Sequence, residues 1–115
     1  MVGGMDRGRK DPPDLALFEA EFKKRAGYDA EAVAANCFSA VMLVADAIRR
    51  AGSTDAAKIR AALAETKNYA MLTGPLGYFN SVGEIYSPLE VTVVKGGNFV
   101  GAAVIDDQAI LAPPK

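Results

Sequence analysis

The chain has 115 residues, the usual size of a single domain, and its 50% apolar and 23% charged content is typical of a globular protein. Its 13 basic and 14 acidic residues give a formal net charge of −1 and are mixed along the sequence, which disfavours nucleic acid or an anionic membrane as a partner. The single cysteine, Cys37, cannot form an intramolecular disulfide.

The first ten residues are positively charged, but no apolar segment of seven or more residues follows them, so we expect no secretory signal. The longest uninterrupted apolar run, residues 40–45, is much shorter than the ~18 residues that cross a bilayer. The sequence therefore predicts a soluble chain whose residues 1–14 form a flexible N-terminal arm.

A first helix is predicted to begin near Leu15. Residues 11–14 read Asp-Pro-Pro-Asp, which offers a capping acid and prolines for a first turn, and residues 23–25 with Gly27 supply cations and a terminating glycine. The remaining surface is largely polar, so we expect a surface helix with one apolar stripe. The stripe consists of Leu15, Phe18 and Phe22.

The second predicted helix begins at a cap on Asp29 and ends at Gly52. Most of its circumference is apolar, so it must be covered on several sides, which is difficult within a chain this short. We therefore expect it to lack part of its cover. One apolar stripe contains Val33, Cys37, Val41, Val44 and Ile48, and a neighbouring stripe contains Phe38, Met42 and Ala45.

A third, shorter helix is predicted after the cap at residues 53–55, with its end near Lys67 and Asn68. Its apolar face contains Ile59, Ala62 and Leu63.

Beyond Asn68 the helical period ends and turn signals begin. Residues 73–75 read Thr-Gly-Pro, and the loop at residues 80–83 separates short strands at residues 76–79 and 84–86. Residues 89–94 alternate, and Gly96-Gly97 predicts a hairpin turn into a last strand near residues 99–105. The predicted class is α/β, with three helices followed by antiparallel strands. Residues 106–115 are predicted to form a tail, in which Asp106-Asp107 is a solvated pair and residues 112–115 are a frayed end.

The sequence holds no constellation of catalytic residues. It contains no histidine, which removes the Ser-His-Asp and Cys-His arrangements and the commonest metal ligand. Ser39 is interpreted as a small residue inside a helix, and Asp46 as the ion-pair partner of Arg49 or Arg50. The glycines match turns rather than a phosphate-binding loop. We expect no enzyme activity, no metal and no cofactor.

Five segments, in order, resemble the C-terminal third of type I periplasmic binding proteins of the branched-chain amino acid receptor class. The agreement extends from about Leu15 to Phe99, and it is the order of the segments that makes it specific. They are Phe-Lys-Lys-Arg-Ala-Gly-Tyr-Asp at 22–29, Ala-Val-Met-Leu-Val-Ala-Asp-Ala-Ile at 40–48, Ala-Gly-Ser-Thr-Asp at 51–55, Ile-Arg-Ala-Ala-Leu at 59–63 and Thr-Gly-Pro at 73–75.

The resemblance implies a two-lobed periplasmic or extracellular receptor that closes on its ligand by a hinge movement and delivers it to an ABC transporter permease. Residues 15–105 would be a receptor segment and a partial type I fold. The first helix would lie in one lobe, residues 28–36 would cross the hinge, the next two helices would lie in the other lobe, and the last strands would return across the hinge.

Four residues, at three places in the sequence, depart from the family pattern. Ala30 stands where the family usually has proline, Phe38-Ser39 where it commonly has Tyr-Asp, and Asn80 where it has aspartate. Because of the second departure, the resemblance implies no ligand contact through a Tyr-Asp pair at this place.

The candidate ligand-binding residues lie where the hinge segment leads into a helix N-terminus, whose N–H groups suit an anionic ligand group. A purely structural role for each of them stays open. The candidates are Tyr28, Val33, Asn36 and Cys37.

Two functions of different classes follow. The first is a truncated, non-catalytic solute-binding segment of an importer receptor, specific for an amino acid or a similar small organic acid. The alternative is a homo-oligomeric interaction module without a small ligand, in which a second copy covers the second helix.

Overall fold

A computed structural model describes residues 13–111 of the chain. Helices come first and antiparallel strands follow, which confirms the predicted order. The elements are α1 (Pro13–Ala26), α2 (Ala32–Ala51), α3 (Ala56–Ala64), β1 (Lys67–Met71), β2 (Gly74–Phe79), β3 (Ile85–Tyr86), β4 (Leu89–Lys95), β5 (Asn98–Ile105) and α4 (Gln108–Leu111).

Helix α1 begins and ends close to the predicted positions. Of the predicted start signal at residues 11–14, residues 11 and 12 lie outside the described residues, as does most of the predicted N-terminal arm. Gly27 ends the helix with φ +82°, a left-handed conformation that glycine adopts without steric cost. Leu15 is buried and packs with Ala35 of α2 and Leu72 of the β1–β2 turn, and Phe18 covers this cluster. The predicted apolar stripe therefore attaches α1 to the rest of the chain.

The cap of α2 is not where the sequence placed it. Glu31, rather than Asp29, is the N-cap residue, and it makes no side-chain capping bond. The prediction was wrong because the Asp29 carboxylate is engaged elsewhere, at 2.8 Å from Lys23 Nζ. At the other end the prediction is confirmed, since Gly52 adopts the left-handed conformation and its N–H bonds the Ile48 carbonyl.

The buried face of α2 is made of small side chains and one leucine, whereas both predicted apolar stripes remain largely exposed. Val33 and Val41 are each 68% exposed. The expectation that this helix lacks part of its cover is therefore confirmed. The buried residues are Ala35, Ser39, Leu43 and Ala47.

Helix α2 is also long and apolar enough to cross a membrane, by length and composition only. The uninterrupted run at residues 40–45 gave no sign of this, because polar residues punctuate the helix. Those polar residues are used within the fold: Ser39 accepts a hydrogen bond from the Leu72 N–H, and Asp46 pairs with two arginines. A core helix of a globular protein passes the same test but is mostly buried, whereas 22% of the apolar stretch of α2 is buried.

Helix α3 starts as predicted, with the Asp55 carboxylate accepting the Lys58 N–H at 3.1 Å. It ends earlier than predicted, at Ala64, and Lys67 already belongs to strand β1. Strand β1 was not predicted, because only Glu65 and Thr66 separate it from the helix and no glycine or proline marks the change.

Strands β1, β2 and β3 form one antiparallel sheet, and β4 with β5 forms a separate hairpin. Positive φ angles at Gly96 (56°) and Gly97 (79°) confirm the predicted hairpin turn. Within the first sheet, Tyr78 and Tyr86 stack with ring centroids 4.8 Å apart. Gly77 allows this close approach, because a Cβ atom there would lie 2.7 Å from the Tyr86 ring.

The hairpin extends away from the helices. A radius of gyration of 16.0 Å exceeds the ~13 Å of a compact domain of this length. A hydrogen bond of 3.2 Å from Tyr86 Oη to Asp106 Oδ1 ties the end of the hairpin to the first sheet. Asp107 caps α4, an unpredicted helical turn inside the predicted tail, and residues 112–115 lie outside the described residues.

Candidate ligand-binding segment

The four predicted site residues lie on the link between α1 and α2 and on the first two turns of α2. Asn36 and Cys37 lie three and four residues after Val33, so the three residues occupy one side of the helix. All three are exposed, and Tyr28 in the link is 63% exposed. The structure thus gathers three of them on one helix surface and holds the fourth just before it.

The link that carries Tyr28 is held at several points. The Tyr28 ring meets Phe22 edge-on, with centroids 5.5 Å apart, and Ala30 is buried. The hydrogen bond and charge of Asp29 raise the pKa of Lys23, and those of Lys23 lower the pKa of Asp29. The aromatic ring of Tyr28 is therefore positioned while one side stays open to solvent.

Asn36 is positioned by a contact with the β1–β2 turn. Its Oδ1 accepts a hydrogen bond of 2.7 Å from Thr73 Oγ1, the threonine of the Thr-Gly-Pro segment. This bond occupies the amide oxygen. The amide nitrogen has no acceptor among residues 13–111, so it remains available as a donor on an exposed surface.

The N-terminus of α2 carries N–H groups that no side chain within residues 13–111 caps. Ala34 N and Ala35 N bond the Glu31 carbonyl, while the Glu31 side chain makes no capping bond. Uncapped N–H groups and the helix dipole favour a negatively charged group at this position. Cys37 is a free, exposed thiol one turn further along. The part of the chain that the structure describes holds no group of three or more acidic or cysteine side chains able to bind a metal ion.

A groove of about 630 Å³ lies beside this segment, between α1, α2 and β1. Its walls are mostly aromatic and aliphatic, and none of the four predicted site residues lines it. The groove was not predicted from the sequence, because one of its walls is strand β1, which was not predicted either. The principal lining residues are Phe18, Phe22, Phe38, Met42, Tyr69 and Met71.

The profile of the periplasmic binding protein family matches residues 7–98. Among solved structures, the fold resembles LivK, a leucine binding protein of Thermotoga maritima, with a TM-score of 0.68 and 28% sequence identity. The alignment covers 90% of this chain and 29% of the LivK chain. Both comparisons confirm the resemblance inferred from the five sequence segments, so the chain belongs to the periplasmic binding protein family and is a segment of its type I fold.

Proposed function

We propose that the chain is a non-catalytic solute-binding segment that contributes one wall of the ligand cleft in a receptor feeding an ABC importer. The observation that carries this proposal is the match to the periplasmic binding protein family over residues 7–98. It is supported by the fold shared with LivK, of whose chain this one spans 29%. The family works in the periplasm, and we propose the same compartment here.

The ligand we propose is an amino acid or a similar small organic acid. The surface formed by the link and α2 offers three kinds of contact that such a molecule needs. Uncapped N–H groups at the start of α2 suit a carboxylate, the free Asn36 amide nitrogen suits an oxygen acceptor, and Tyr28 with Val33 offers apolar contact. LivK is a leucine binding protein, so leucine is the first ligand to test.

Residues 28–36 are the proposed hinge segment; residues 28–31 lie in the link between α1 and α2, and residues 32–36 are the first residues of α2. Gly27, just before this segment, has a positive φ and gives the link a position of conformational freedom. Leu15 packs with Ala35 and Leu72, so α1 and α2 are in contact in this structure. If α1 and α2 belong to different lobes, the contact between Leu15 and Ala35 must change when the receptor opens.

A chimaera provides the sharpest test of ligand binding. The part of LivK that aligns with this chain is replaced by residues 13–111, and leucine binding is measured by isothermal titration calorimetry. The proposal predicts that leucine still binds. Asn36→Ala is then expected to raise the leucine Kd by roughly fivefold or more, since one hydrogen bond is worth about 1 kcal/mol or more.

Asn80→Ala is the matched control, because Asn80 is an amide in the β2–β3 turn, outside the proposed binding segment. It is expected to leave the leucine Kd unchanged. If folded chimaeras carrying Asn36→Ala, Tyr28→Ala or Val33→Ala bind leucine as well as the unsubstituted chimaera, these residues do not belong to the binding site. A folded chimaera without any leucine binding, and without binding of other amino acids, would contradict the proposed function.

A further inference from the structure

Thr73 lies in the tight turn between β1 and β2 and begins the Thr-Gly-Pro segment. Met71 pairs with Gly74 across the hairpin, so Leu72 and Thr73 are the two turn residues. Gly74 has a φ of +129°, which a residue with a Cβ atom rarely adopts, and the ring of Pro75 fixes the next φ. The turn therefore presents the Thr73 hydroxyl from a restricted backbone.

Two hydrogen bonds hold this turn against one surface of α2. The Leu72 N–H donates to Ser39 Oγ at 3.0 Å in a buried position, and the Thr73 hydroxyl donates to Asn36 Oδ1 at 2.7 Å in an exposed one. Asn36 and Ser39 are three residues apart, so they are neighbours on the helix surface. The buried bond thus anchors the turn, and the anchored turn brings the Thr73 hydroxyl to Asn36.

The bond from Thr73 determines which half of the Asn36 amide faces outward. The last torsion of an asparagine side chain has two broad orientations, which exchange the amide oxygen, an acceptor, for the amide nitrogen, a donor. Because Thr73 occupies the oxygen, the nitrogen is the group that a ligand meets. Threonine suits this role, since its β-branched side chain is stiff at χ1.

A hydrogen-bond donor at this position selects one end of an amino acid. In leucine the only oxygen atoms belong to the carboxylate, and the ammonium group offers donors alone. We infer that Thr73 is a positioning residue, which fixes the Asn36 amide as a donor to the carboxylate of the ligand. This role rests on the proposed function, in which Asn36 contacts the ligand.

The first experiment measures the mobility of the Asn36 side chain in the 115-residue chain without ligand. Nitrogen-15 relaxation of the Asn36 amide is compared in the wild type and in Thr73→Val, which has nearly the same shape but no hydroxyl. The order parameter is expected to fall in Thr73→Val, because the amide is then free to rotate. Thr73→Ser keeps the hydroxyl and is expected to retain most of the order. Thr54→Val is the control, since Thr54 lies beyond the other end of α2.

The second experiment measures leucine binding to the LivK chimaera by calorimetry. Thr73→Val is expected to raise the leucine Kd roughly threefold or more, because the freed amide turns its oxygen toward the carboxylate for part of the time. Thr73→Ser is expected to restore most of the affinity. In a chimaera that already carries Asn36→Ala, Thr73→Val is expected to cause no further loss, since Thr73 acts through Asn36. Circular dichroism verifies that each variant is folded.

Asn36→Asp tests the donor role separately. The aspartate keeps an oxygen for Thr73 but replaces the amide nitrogen with a charged oxygen. It is therefore expected to raise the leucine Kd more than Asn36→Ala does, because the two carboxylates repel each other. A Kd for Asn36→Asp no higher than that for Asn36→Ala would overturn the contact with the carboxylate.

The role of Thr73 and the proposed function fail in different ways. If the unsubstituted chimaera binds leucine and Thr73→Val binds it equally well, the role of Thr73 is overturned and the proposed function stands. Additive effects of Thr73→Val and Asn36→Ala, or equal order parameters of the Asn36 amide with and without the Thr73 hydroxyl, would overturn that role too. A folded chimaera that binds no amino acid contradicts the proposed function itself, and the role of Thr73 falls with it.

Discussion

The Arg50 guanidinium donates a hydrogen bond of 2.7 Å to Thr66 Oγ1 and another of 2.7 Å to the Ala62 carbonyl. Its Nε bonds Asp46 Oδ2 at 2.8 Å. One side chain near the end of α2 thus satisfies a carbonyl in the last turn of α3 and fixes Thr66, which is buried just before β1. This arginine therefore joins the two helices to the start of the sheet.

Arg50→Met is expected to lower the free energy of unfolding by roughly 1–3 kcal/mol, since it removes charge-assisted hydrogen bonds to the Ala62 carbonyl and to Thr66 Oγ1. The Ala62 carbonyl keeps its bond of 3.1 Å from Thr66 Oγ1. The measurement is urea denaturation followed by circular dichroism. Arg49→Met is the matched control: the Arg49 side chain is 79% exposed, and within residues 13–111 it bonds only Asp46. The substitution is therefore expected to cost no more than about 0.5 kcal/mol. Equal losses from the two variants would show that the bonds to Ala62 and Thr66 contribute nothing.

Asp46 gives the protein a predictable sensitivity to acid. Hydrogen bonds from Arg49 and then from Arg50 lower the pKa of the Asp46 carboxyl in the folded chain. The unfolded chain therefore binds the proton more readily, so the stabilisation is present above the ordinary carboxyl pKa and is lost as the pH falls below about 4. Urea midpoints measured from pH 6 down to pH 3 should fall less steeply for Asp46→Asn than for the wild type. An unchanged slope would contradict this role.

Ser39 is buried on α2, and its hydroxyl oxygen accepts the Leu72 N–H at 3.0 Å. Ser39→Ala leaves that N–H without a partner in a buried position, so a loss of about 1–3 kcal/mol in unfolding free energy is expected. Ser53→Ala is the control, because the Ser53 hydroxyl accepts a bond of 3.1 Å in an exposed turn. A drop in stability for Ser39→Ala no larger than for Ser53→Ala would show that water replaces the serine.

Local signals in the sequence predicted the ends of helices and the hairpin turn. Positive φ angles, which glycine adopts more readily than other residues, occur at Gly27, Gly52 and the Gly96-Gly97 pair. The presence of glycine in the sequence was therefore enough to predict these turns and helix ends. The Asp55 cap is equally local, since its carboxylate bonds the N–H three residues ahead.

Features that depend on tertiary contacts were not predictable in this way. Two acids, Asp29 and Glu31, stand where α2 could begin, and the choice is decided by the Lys23–Asp29 ion pair with the preceding helix. The large apolar residues of α2 suggested stripes for burial, but the face that packs inward is mainly of small residues. The groove requires β1, which has neither a preceding turn signal nor a clear alternation. The candidate binding segment was found through family resemblance, because no chemical motif marks it.

Tyr86 connects the first sheet to the segment after the hairpin, and it provides a prediction at alkaline pH. Its burial, followed by its hydrogen bond to Asp106, raises the pKa of the phenol. A phenol whose pKa is higher in the folded chain than in the unfolded chain contributes stability that is complete below the ordinary value of about 10 and is lost as the pH rises through the folded pKa.

Tyr86→Phe keeps the ring stacked on Tyr78 but removes the ionisable group and the bond to Asp106. The variant should therefore lose less stability than the wild type between pH 9 and about pH 11 in urea denaturation, while amide hydrogen exchange in Gln108–Leu111 becomes faster because the tie to the first sheet is gone. Tyr28→Phe is the control, since Tyr28 is 63% exposed, and it should change neither result. A Tyr86→Phe variant with the same alkaline loss and unchanged exchange would show that the Tyr86–Asp106 bond does not hold the end of the hairpin.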